Sequence, residues 1–227
     1  MSKLNLTEYE QTVLNETIDI LLKLNIAEPT NHKEFGGMRF SEWTWENYEI
    51  LRDNGIYCDS GATKMVFIVD GLEDWVIKVP FLFSEKTAPG NFRHCDACSA
   101  EAKVFTEAVD SGLQEYFAAC YHYKTVGDIP FYIQEKADCN PDNNEDILFD
   151  KVSTSYNRED YDSEDAYYSA IHCEVDEMGD EERLDAFFGD WVGKLMNFLF
   201  DRELNDFHCA NLGFIGLRPV LIDYSGY

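Results

Sequence analysis

The sequence has little positive charge. Its 227 residues include 18 lysines and arginines against 44 aspartates and glutamates, which gives a formal net charge of −26. Because a surface of this charge repels phosphate groups, we expect no direct binding to nucleic acids or to anionic membrane surfaces. The acidity also leaves open an acidic interaction protein that imitates DNA, although a solvated acidic surface explains the same composition.

The sequence also lacks long apolar runs and paired cysteines. No run approaches the about 18 apolar residues needed to span a bilayer, and the first residues lack the apolar core of a secretory signal. The seven cysteines are scattered singly, which is typical of reduced thiols and predicts a cytoplasmic protein. His94, Cys95 and Cys98 could begin a zinc site, but no second ligand pair is evident, so ordinary loop thiols are the favoured interpretation.

The apolar content is sufficient for a folded core. Hydrophobic residues make up 45% of the chain and aromatic residues 15%. A capping box formed by Thr7 and Glu10 predicts a helix over 8–24, and its apolar residues recur at helical spacing. A second helix is predicted over 42–53, with Ser41 as its N-cap.

The middle of the chain has the pattern of strands. Residues 64–69 and 75–79 are β-rich runs joined by a glycine-containing turn, which predicts a hairpin. A helix is predicted over 99–111, followed by strands over 116–123 and 129–134. These elements predict an α+β fold with an antiparallel sheet.

The composition of the last third becomes acidic and then strongly apolar. Residues 138–182 are predicted to form a linker or insertion with weak helices, for example over 163–173. Residues 183–203 repeat apolar side chains at helical spacing and predict one buried helix. A short hairpin is predicted over 212–215 and 219–222.

Three polar residues near the end of the chain suit one kind of chemistry. Asp206 is followed by Asn211, and Asp223 comes at the end of an apolar strand. Asp206 can take or orient a hydroxyl proton, whereas Asn211 and Asp223 offer the hard oxygen ligands that Mg²⁺ prefers when it holds nucleotide phosphates.

Glu101 lies on the apolar face of the predicted helix over 99–111. A carboxylate in that position is unfavourable unless a cation meets it. Lys78, on the second strand of the predicted hairpin, is the natural partner. Glu107 is the alternative carboxylate, but it points away from the direction of Phe105 around the helix, so Glu101 is favoured.

The order of these elements resembles the protein-kinase-like superfamily, and more closely its aminoglycoside- and choline-kinase branch. The resemblance is carried by the Trp75-Val-Ile-Lys78-Val run, by the Asp-x-His-x-x-Asn motif that begins at Asp206, and by Ile222-Asp223-Tyr. It implies a two-lobed fold, with an antiparallel-sheet N-lobe holding one inward helix. The C-lobe is expected to be reduced, mainly helical, and to end just after the aspartate that corresponds to the Asp-Phe-Gly motif.

The resemblance also implies a segment plan and residue roles. Residues 1–55 would be a helical extension, 56–137 the N-lobe with the hinge, and 138–227 the reduced C-lobe. Asp206, Lys78 and Glu101 would be catalytic, and Asn211 and Asp223 would bind Mg²⁺. ATP would be held by a set of residues in the N-lobe and hinge, namely Ser60, Gly61, Ala62, Lys78, Glu135 and Ala137.

The turn at Gly61 departs from the family pattern. Only Gly61 of the three family glycines is present, and Asp59 and Lys64 stand where the others would be. A plain hairpin turn is therefore an equally good interpretation of this segment.

The function implied by the resemblance is ATP- and Mg²⁺-dependent phosphotransfer to a small molecule or to a protein hydroxyl. Two alternatives stay open at this stage: a nucleotide-binding pseudokinase that serves as a regulatory module, and a non-enzymatic acidic interaction protein. Nucleotidyl transfer within the same cleft is also compatible with these residues.

Overall fold

The computed structural model describes residues 4–24, 28–29, 38–39, 45–61, 63–82, 94–189, 192–205 and 207–226. These residues form seven α-helices, a five-stranded antiparallel sheet and two two-stranded sheets, so the predicted α+β class is confirmed. The chain divides into two compact units. The sheet unit comprises Met1–Gln114, Ala118–Lys136 and Ser225–Tyr227, and the helical unit comprises Glu115–Phe117 and Ala137–Tyr224.

The sheet unit begins with two helices. Helix α1 (Glu8–Lys23) starts with the predicted capping box, in which the Thr7 N–H donates to Glu10 Oε2 at 2.7 Å and the Glu10 N–H donates to Thr7 Oγ1 at 3.2 Å. Strands β1 (Glu28–Pro29) and β2 (Met38–Arg39) form an antiparallel pair before helix α2 (Trp45–Asp53). Ser41, the predicted start of the second helix, lies outside the described residues.

The five-stranded sheet has the order β3-β4-β5-β7-β6, and every neighbouring pair is antiparallel. Its strands are β3 (Ile56–Ser60), β4 (Lys64–Val69), β5 (Trp75–Pro80), β6 (Cys120–Val126) and β7 (Ile129–Glu135). Helix α3 (Ala97–Asp110) lies between β5 and β6 in the chain and packs against both. The predicted strand start at residue 116 is wrong, because Gln114–Tyr116 form a 3-10 turn and β6 begins at Cys120.

The two faces of this sheet have different neighbours. Phe67, Ile77 and Ile133 are register partners on one face, and they share a buried cluster with Leu14 and Ile18 of α1. Because side chains alternate along a strand, their neighbours in the strands, such as Lys78, project from the opposite face. That second face meets α3.

The helical unit contains four helices and a hairpin. They are α4 (Pro141–Ser153), α5 (Glu164–Glu177), α6 (Asp180–Phe188), α7 (Val192–Phe200), β8 (Leu212–Ile215) and β9 (Arg218–Leu221). The predicted hairpin is therefore confirmed. None of the helices in the described parts of the chain is long and apolar enough to cross a bilayer.

Two predictions for the helical unit need correction. Residues 138–182 are more ordered than a linker with weak helices, because Asn140 caps α4 and the segment buries Leu148, Val152, Ile171 and Val175. The single helix predicted over 183–203 is wrong, since α6 ends at Phe188 and is followed by Gly189 with a φ of 69°. A positive φ stops a right-handed helix, so α7 is a separate element.

Candidate functional site

Lys78 and Glu101 form a buried ion pair in the sheet unit. The Lys78 Nζ lies 2.8 Å from Glu101 Oε2. Lys78 is 3% exposed and Glu101 is fully buried, whereas Glu107 lies 4.0 Å from Lys103 in a pair near the surface. The structure thus places Lys78 against the carboxylate that the sequence favours.

The start of helix α3 is tied to the sheet face that carries Lys78. Asp96 caps the helix by accepting a hydrogen bond from the Ser99 N–H at 2.8 Å. The hydroxyl of Tyr132 donates to the other oxygen of Asp96 at 2.9 Å, and Tyr132 is the register partner of Lys78 on β7. Burial, followed by the charge of Asp96, raises the pKa of Tyr132 and keeps this hydroxyl a donor. This link sets the position of Glu101 relative to Lys78.

Lys64 is a second cation on the same carboxylate. Its Nζ lies 2.6 Å from Glu101 Oε1, and the residue is 5% exposed. The sequence interpretation treated Lys64 only as a substitute for a glycine and missed this contact. A signal was available, because Lys64 opens the strand that pairs with the strand of Lys78. We call Lys64, Lys78 and Glu101 the lysine–glutamate cluster.

Two buried thiols border the lysine–glutamate cluster. The Cys120 Sγ lies 3.9 Å from Glu101 Oε2, and Cys98 is fully buried one turn before Glu101 on α3. Burial, reinforced by the charge of Glu101, raises the pKa of both thiols well above the ordinary value. Both thiols are therefore neutral in this buried environment.

The turn at Gly61 joins β3 to β4. Ser60 ends β3, the Gly61 N–H donates to the Lys64 carbonyl at 3.0 Å, and Ala62 lies outside the described residues. Among the described residues, a Cβ added at Gly61 would meet nothing closer than the Lys64 carbonyl at 3.9 Å, and Gly61 does not have a positive φ. The described part of the chain therefore does not require glycine here, and the hairpin and nucleotide interpretations both stay open.

The predicted adenine contacts lie at the end of β7. The Glu135 N–H donates to the Ala119 carbonyl at 2.9 Å, and Glu135 Oε2 accepts from the Ala119 N–H at 3.0 Å. The N–H of Glu135 is thus used within the sheet unit. Its carbonyl and the backbone of Ala137, which belongs to the helical unit, keep their predicted roles as predictions.

Asn211 and Asp223 lie at the same end of the β8–β9 hairpin. Leu212 pairs with Leu221, and beyond this pair the Ile222 N–H donates to the Asn211 carbonyl at 2.9 Å. Asn211 is 8% exposed and Asp223 is partly buried. The backbone of Asn211 is thus bonded to Ile222, the residue before Asp223, and Asp206 lies outside the described residues.

Asn144 of α4 fixes the loop that carries Asn211. Its side-chain amide donates to the carbonyls of Cys209 at 2.8 Å and of Leu212 at 3.0 Å. His208 caps the same loop, since its Nδ1 accepts from the Ala210 N–H at 3.2 Å. His208 therefore has a structural contact within this loop.

The chemistry of this loop suits a magnesium site better than a zinc site. Among the described residues no three histidine, cysteine, aspartate or glutamate side chains converge on one point. Asn211 and Asp223 provide amide and carboxylate oxygens, and Mg²⁺ uses few protein ligands of this kind together with water and phosphate oxygens.

Comparison with known proteins found no relative of this chain. No family model matches the chain, and neither a curated protein nor a solved structure matches it.

Proposed function

We propose that this protein is an ATP- and Mg²⁺-dependent phosphotransferase with a two-lobed, protein-kinase-like fold. The observation that carries the proposal is the buried pair of Lys78 and Glu101 at 2.8 Å. Lys78 lies on the third strand of the five-stranded sheet, and Glu101 lies on the helix that follows that strand. Protein kinases place their phosphate-binding lysine on the third strand of the small lobe and pair it with a glutamate of the next helix.

In this proposal Lys78 holds nucleotide phosphates, and Glu101 keeps the ammonium group in place. The backbone of Ser60, Gly61 and Ala62 approaches the same phosphates. The carbonyl of Glu135 and the backbone of Ala137 contact the base.

The helical unit supplies the remaining groups. Asn211 and Asp223 hold Mg²⁺, which neutralises developing charge when bound, and Asp206 orients the acceptor hydroxyl. Phosphoryl transfer depends on positioning and electrostatics more than on covalent chemistry by the protein, so this small set is adequate.

The acceptor in this proposal is a hydroxyl group of a small molecule or of a protein. The same residues serve nucleotidyl transfer if the nucleotide binds in the opposite orientation. All seven cysteines lie in the described residues and none forms a disulfide, which supports a reducing, cytoplasmic location. The acidic surface supports the expectation that nucleic acids and membranes are not partners.

Thermal unfolding with and without Mg·ATP, combined with an assay of ATP turnover, tests the proposal. At a ligand concentration of about 100 Kd, binding stabilises the folded state by about 2.7 kcal/mol, which raises the Tm of a chain of this size by about 5–10 °C. A shift with turnover supports the phosphotransferase.

A shift without turnover favours the nucleotide-binding regulatory module. The absence of both a shift and turnover counts against any nucleotide site and leaves the acidic interaction protein as the better account.

A further inference from the structure

The helical unit contains a cavity of about 980 Å³. It is lined by residues from the ends of α4 and α5 and from the starts of α6 and α7. A volume of this size lies at the upper end of the range of ligand pockets in proteins. None of the described residues that line it belongs to the proposed nucleotide site, so the proposed function leaves this cavity without a role.

The charged part of the lining is mostly acidic. In the described part of the chain it consists of one ammonium group, from Lys151, and of the five carboxylates of Glu174, Glu177, Glu181, Glu182 and Asp185. Lys151 is paired with Asp185 at 3.2 Å. Glu182 is used at the start of its own helix, where its Oε2 accepts from the Gly179 N–H at 3.0 Å.

Glu177 and Glu181 are the carboxylates of this lining that the fold does not use. Both are exposed, and among the described residues neither accepts a hydrogen bond nor forms an ion pair. Arg183 does not neutralise them, because its Nε donates to the Met178 carbonyl at 3.1 Å. A cation that enters the cavity is therefore attracted by carboxylates from both α5 and α6.

Apolar side chains form the rest of the surface that matters for a ligand. They are Val152, Met178, Val192 and Met196, and all but Met178 are buried. Valine and methionine gain contact energy from an apolar partner, and methionine adapts to partners of irregular shape. A metal ion would use the carboxylates alone, whereas a ligand with both cationic and apolar groups would use the whole lining.

A group of tyrosines adjoins the cavity. The Tyr156 hydroxyl donates to the lining residue Glu174 at 2.9 Å, and the Tyr156 ring stacks on Tyr161 with 6.2 Å between the ring centroids. Tyr161 in turn contacts Tyr167, whose ring lies 6.0 Å from the guanidinium carbon of Arg158. Tyrosine is enriched in protein interfaces, and its ring attracts guanidinium groups. The surface beside the cavity thus extends beyond what a small ligand contacts.

We propose that this cavity and the adjoining tyrosines bind a basic segment of a partner protein that contains arginine and apolar residues. Arginine suits the carboxylates because its planar guanidinium group pairs with them through two hydrogen bonds and also stacks on tyrosine rings. The apolar residues of the segment contact the valines and methionines of the lining. The inference is independent of the proposed function, because no residue of the nucleotide site takes part in it.

Fluorescence anisotropy with a labelled peptide in which arginine and leucine alternate tests this assignment. The salt concentration is about 0.15 M, where the screening length is about 8 Å and the field of distant charges is weak. The test variant carries Glu177→Gln and Glu181→Gln. The control carries Glu16→Gln and Asp19→Asn, which remove the same charge from exposed positions of α1. All four changes are at exposed side chains, and the Tm of each variant verifies that it folds.

We expect the wild type and the control to bind this peptide equally and the test variant to bind it about 10-fold more weakly. Equal losses in the two variants would show a diffuse attraction to the acidic surface, and no binding to the wild type would show no site. Either result overturns the inference.

Two further probes test the apolar lining and the size of the ligand. A peptide with serine in place of every leucine has the same charge, and we expect it to bind the wild type several-fold more weakly. If it binds equally well, the valines and methionines are not contacted and the inference fails. The inference also fails if spermine binds as tightly as the leucine peptide and loses affinity in the test variant, because the cavity then takes a small polyamine.

Discussion

Glu101 is a fully buried carboxylate whose charge is met by Lys64 and Lys78. Glu101→Gln keeps the shape of the side chain but leaves two buried ammonium groups beside a neutral amide. Breaking a buried ion pair from one side costs about 3–5 kcal/mol. We therefore expect a loss of that size in the free energy of unfolding, measured by urea denaturation.

Glu107→Gln is the matched control for this substitution. Glu107 lies on the same helix, and its ion pair with Lys103 spans 4.0 Å near the surface. Surface pairs contribute about 0–1 kcal/mol, so this variant should unfold almost as the wild type does. Equal losses for the two variants would show that the lysine–glutamate cluster contributes little to folding.

Asn144 is a second buried residue whose substitution should lower the free energy of unfolding. Its amide satisfies two carbonyls of the loop that carries Asn211, and the residue is 1% exposed. Asn144→Ala leaves these carbonyls without their donor, and an unsatisfied buried polar group costs about 1–3 kcal/mol. Asn143→Ala, on the exposed side of the same helix, should change the unfolding free energy by no more than about 0.5 kcal/mol. Similar values for both would mean that the loop does not depend on α4.

At the scale of single residues, the sequence identifies charged residues that interrupt an apolar pattern. It does not identify residues whose role depends on contacts with distant parts of the chain. Lys78 and Glu101 were identifiable because a charged residue stands out within an apolar strand or on an apolar helix face. Asn144 was not, since its partners lie 65 and 68 residues further along the chain. Lys64 was noted only for its position in a motif, although strand alternation places it on the face of Lys78.

Among the elements, α1 depends on its capping box. Thr7→Ala removes the side-chain acceptor of the Glu10 N–H and the hydroxyl that donates to Glu10 Oε2. Loss of such a cap costs about 1 kcal/mol, and α1 contributes to the core of the sheet unit, so we expect that loss in urea unfolding near neutral pH. Thr12→Ala, in the exposed middle of the same helix, is the control and should not destabilise.

The destabilisation caused by Thr7→Ala should decrease as the pH falls. Hydrogen bonds from the Thr7 hydroxyl and then from the Thr7 N–H lower the pKa of Glu10 below its ordinary 4.5. A carboxylate with a lowered folded-state pKa stabilises the fold above its ordinary pKa and loses that contribution as the pH falls through the folded value. The difference between wild type and Thr7→Ala should therefore shrink as the pH falls below the ordinary Glu10 pKa of 4.5. A difference that grows over this range would contradict the assigned role of Glu10.

The elements that were predicted correctly are marked by local sequence signals at a helix start or at a turn. Thr7 and Glu10 mark the start of α1, and the turn between β8 and β9 is marked by Gly216, whose φ is 63°. The errors have a common cause, since composition and periodicity average over several residues. The apolar pattern continues across Gly189, although the helical backbone stops there. The acidic composition of 138–182 likewise obscures the apolar residues that this segment buries.

Two glycine turns of the sheet unit allow a paired test of the predicted phosphate loop. No described residue obstructs a Cβ at Gly61, so Gly61→Ala should leave the Tm unchanged and reduce the stabilisation by Mg·ATP, because in the proposed function a methyl group would block the approach of phosphate. Gly127, in the β6–β7 turn, has a φ of 60°, so Gly127→Ala should cost about 1 kcal/mol and leave the effect of Mg·ATP intact. An unaltered nucleotide effect in Gly61→Ala would favour the plain hairpin interpretation.

For the whole molecule, the net charge of −26 has to be reconciled with the proposed polyphosphate ligand. The field of an acidic protein disfavours binding of an anion, and the effect weakens with distance and with salt. Local cations and a bound metal ion must therefore outweigh the overall charge. In the proposed function the first condition would be met by Lys78 within the sheet unit, and the second by Asn211 and Asp223 within the helical unit.

The contribution of the helical unit can be measured through its metal dependence. Asp223→Asn keeps the size of the side chain but removes the charge that Mg²⁺ requires, so ATP should stabilise this variant equally with Mg²⁺ and with EDTA. In the wild type, Mg·ATP should raise the Tm more than ATP alone, because Asn211 and Asp223 would hold Mg²⁺ together with the nucleotide. Asp201→Asn, an exposed change in the same unit, controls for weak binding of Mg²⁺ to the acidic surface and should behave as the wild type does. If Asp223→Asn retains the full gain from Mg²⁺, the metal is held elsewhere and the helical unit has a different role.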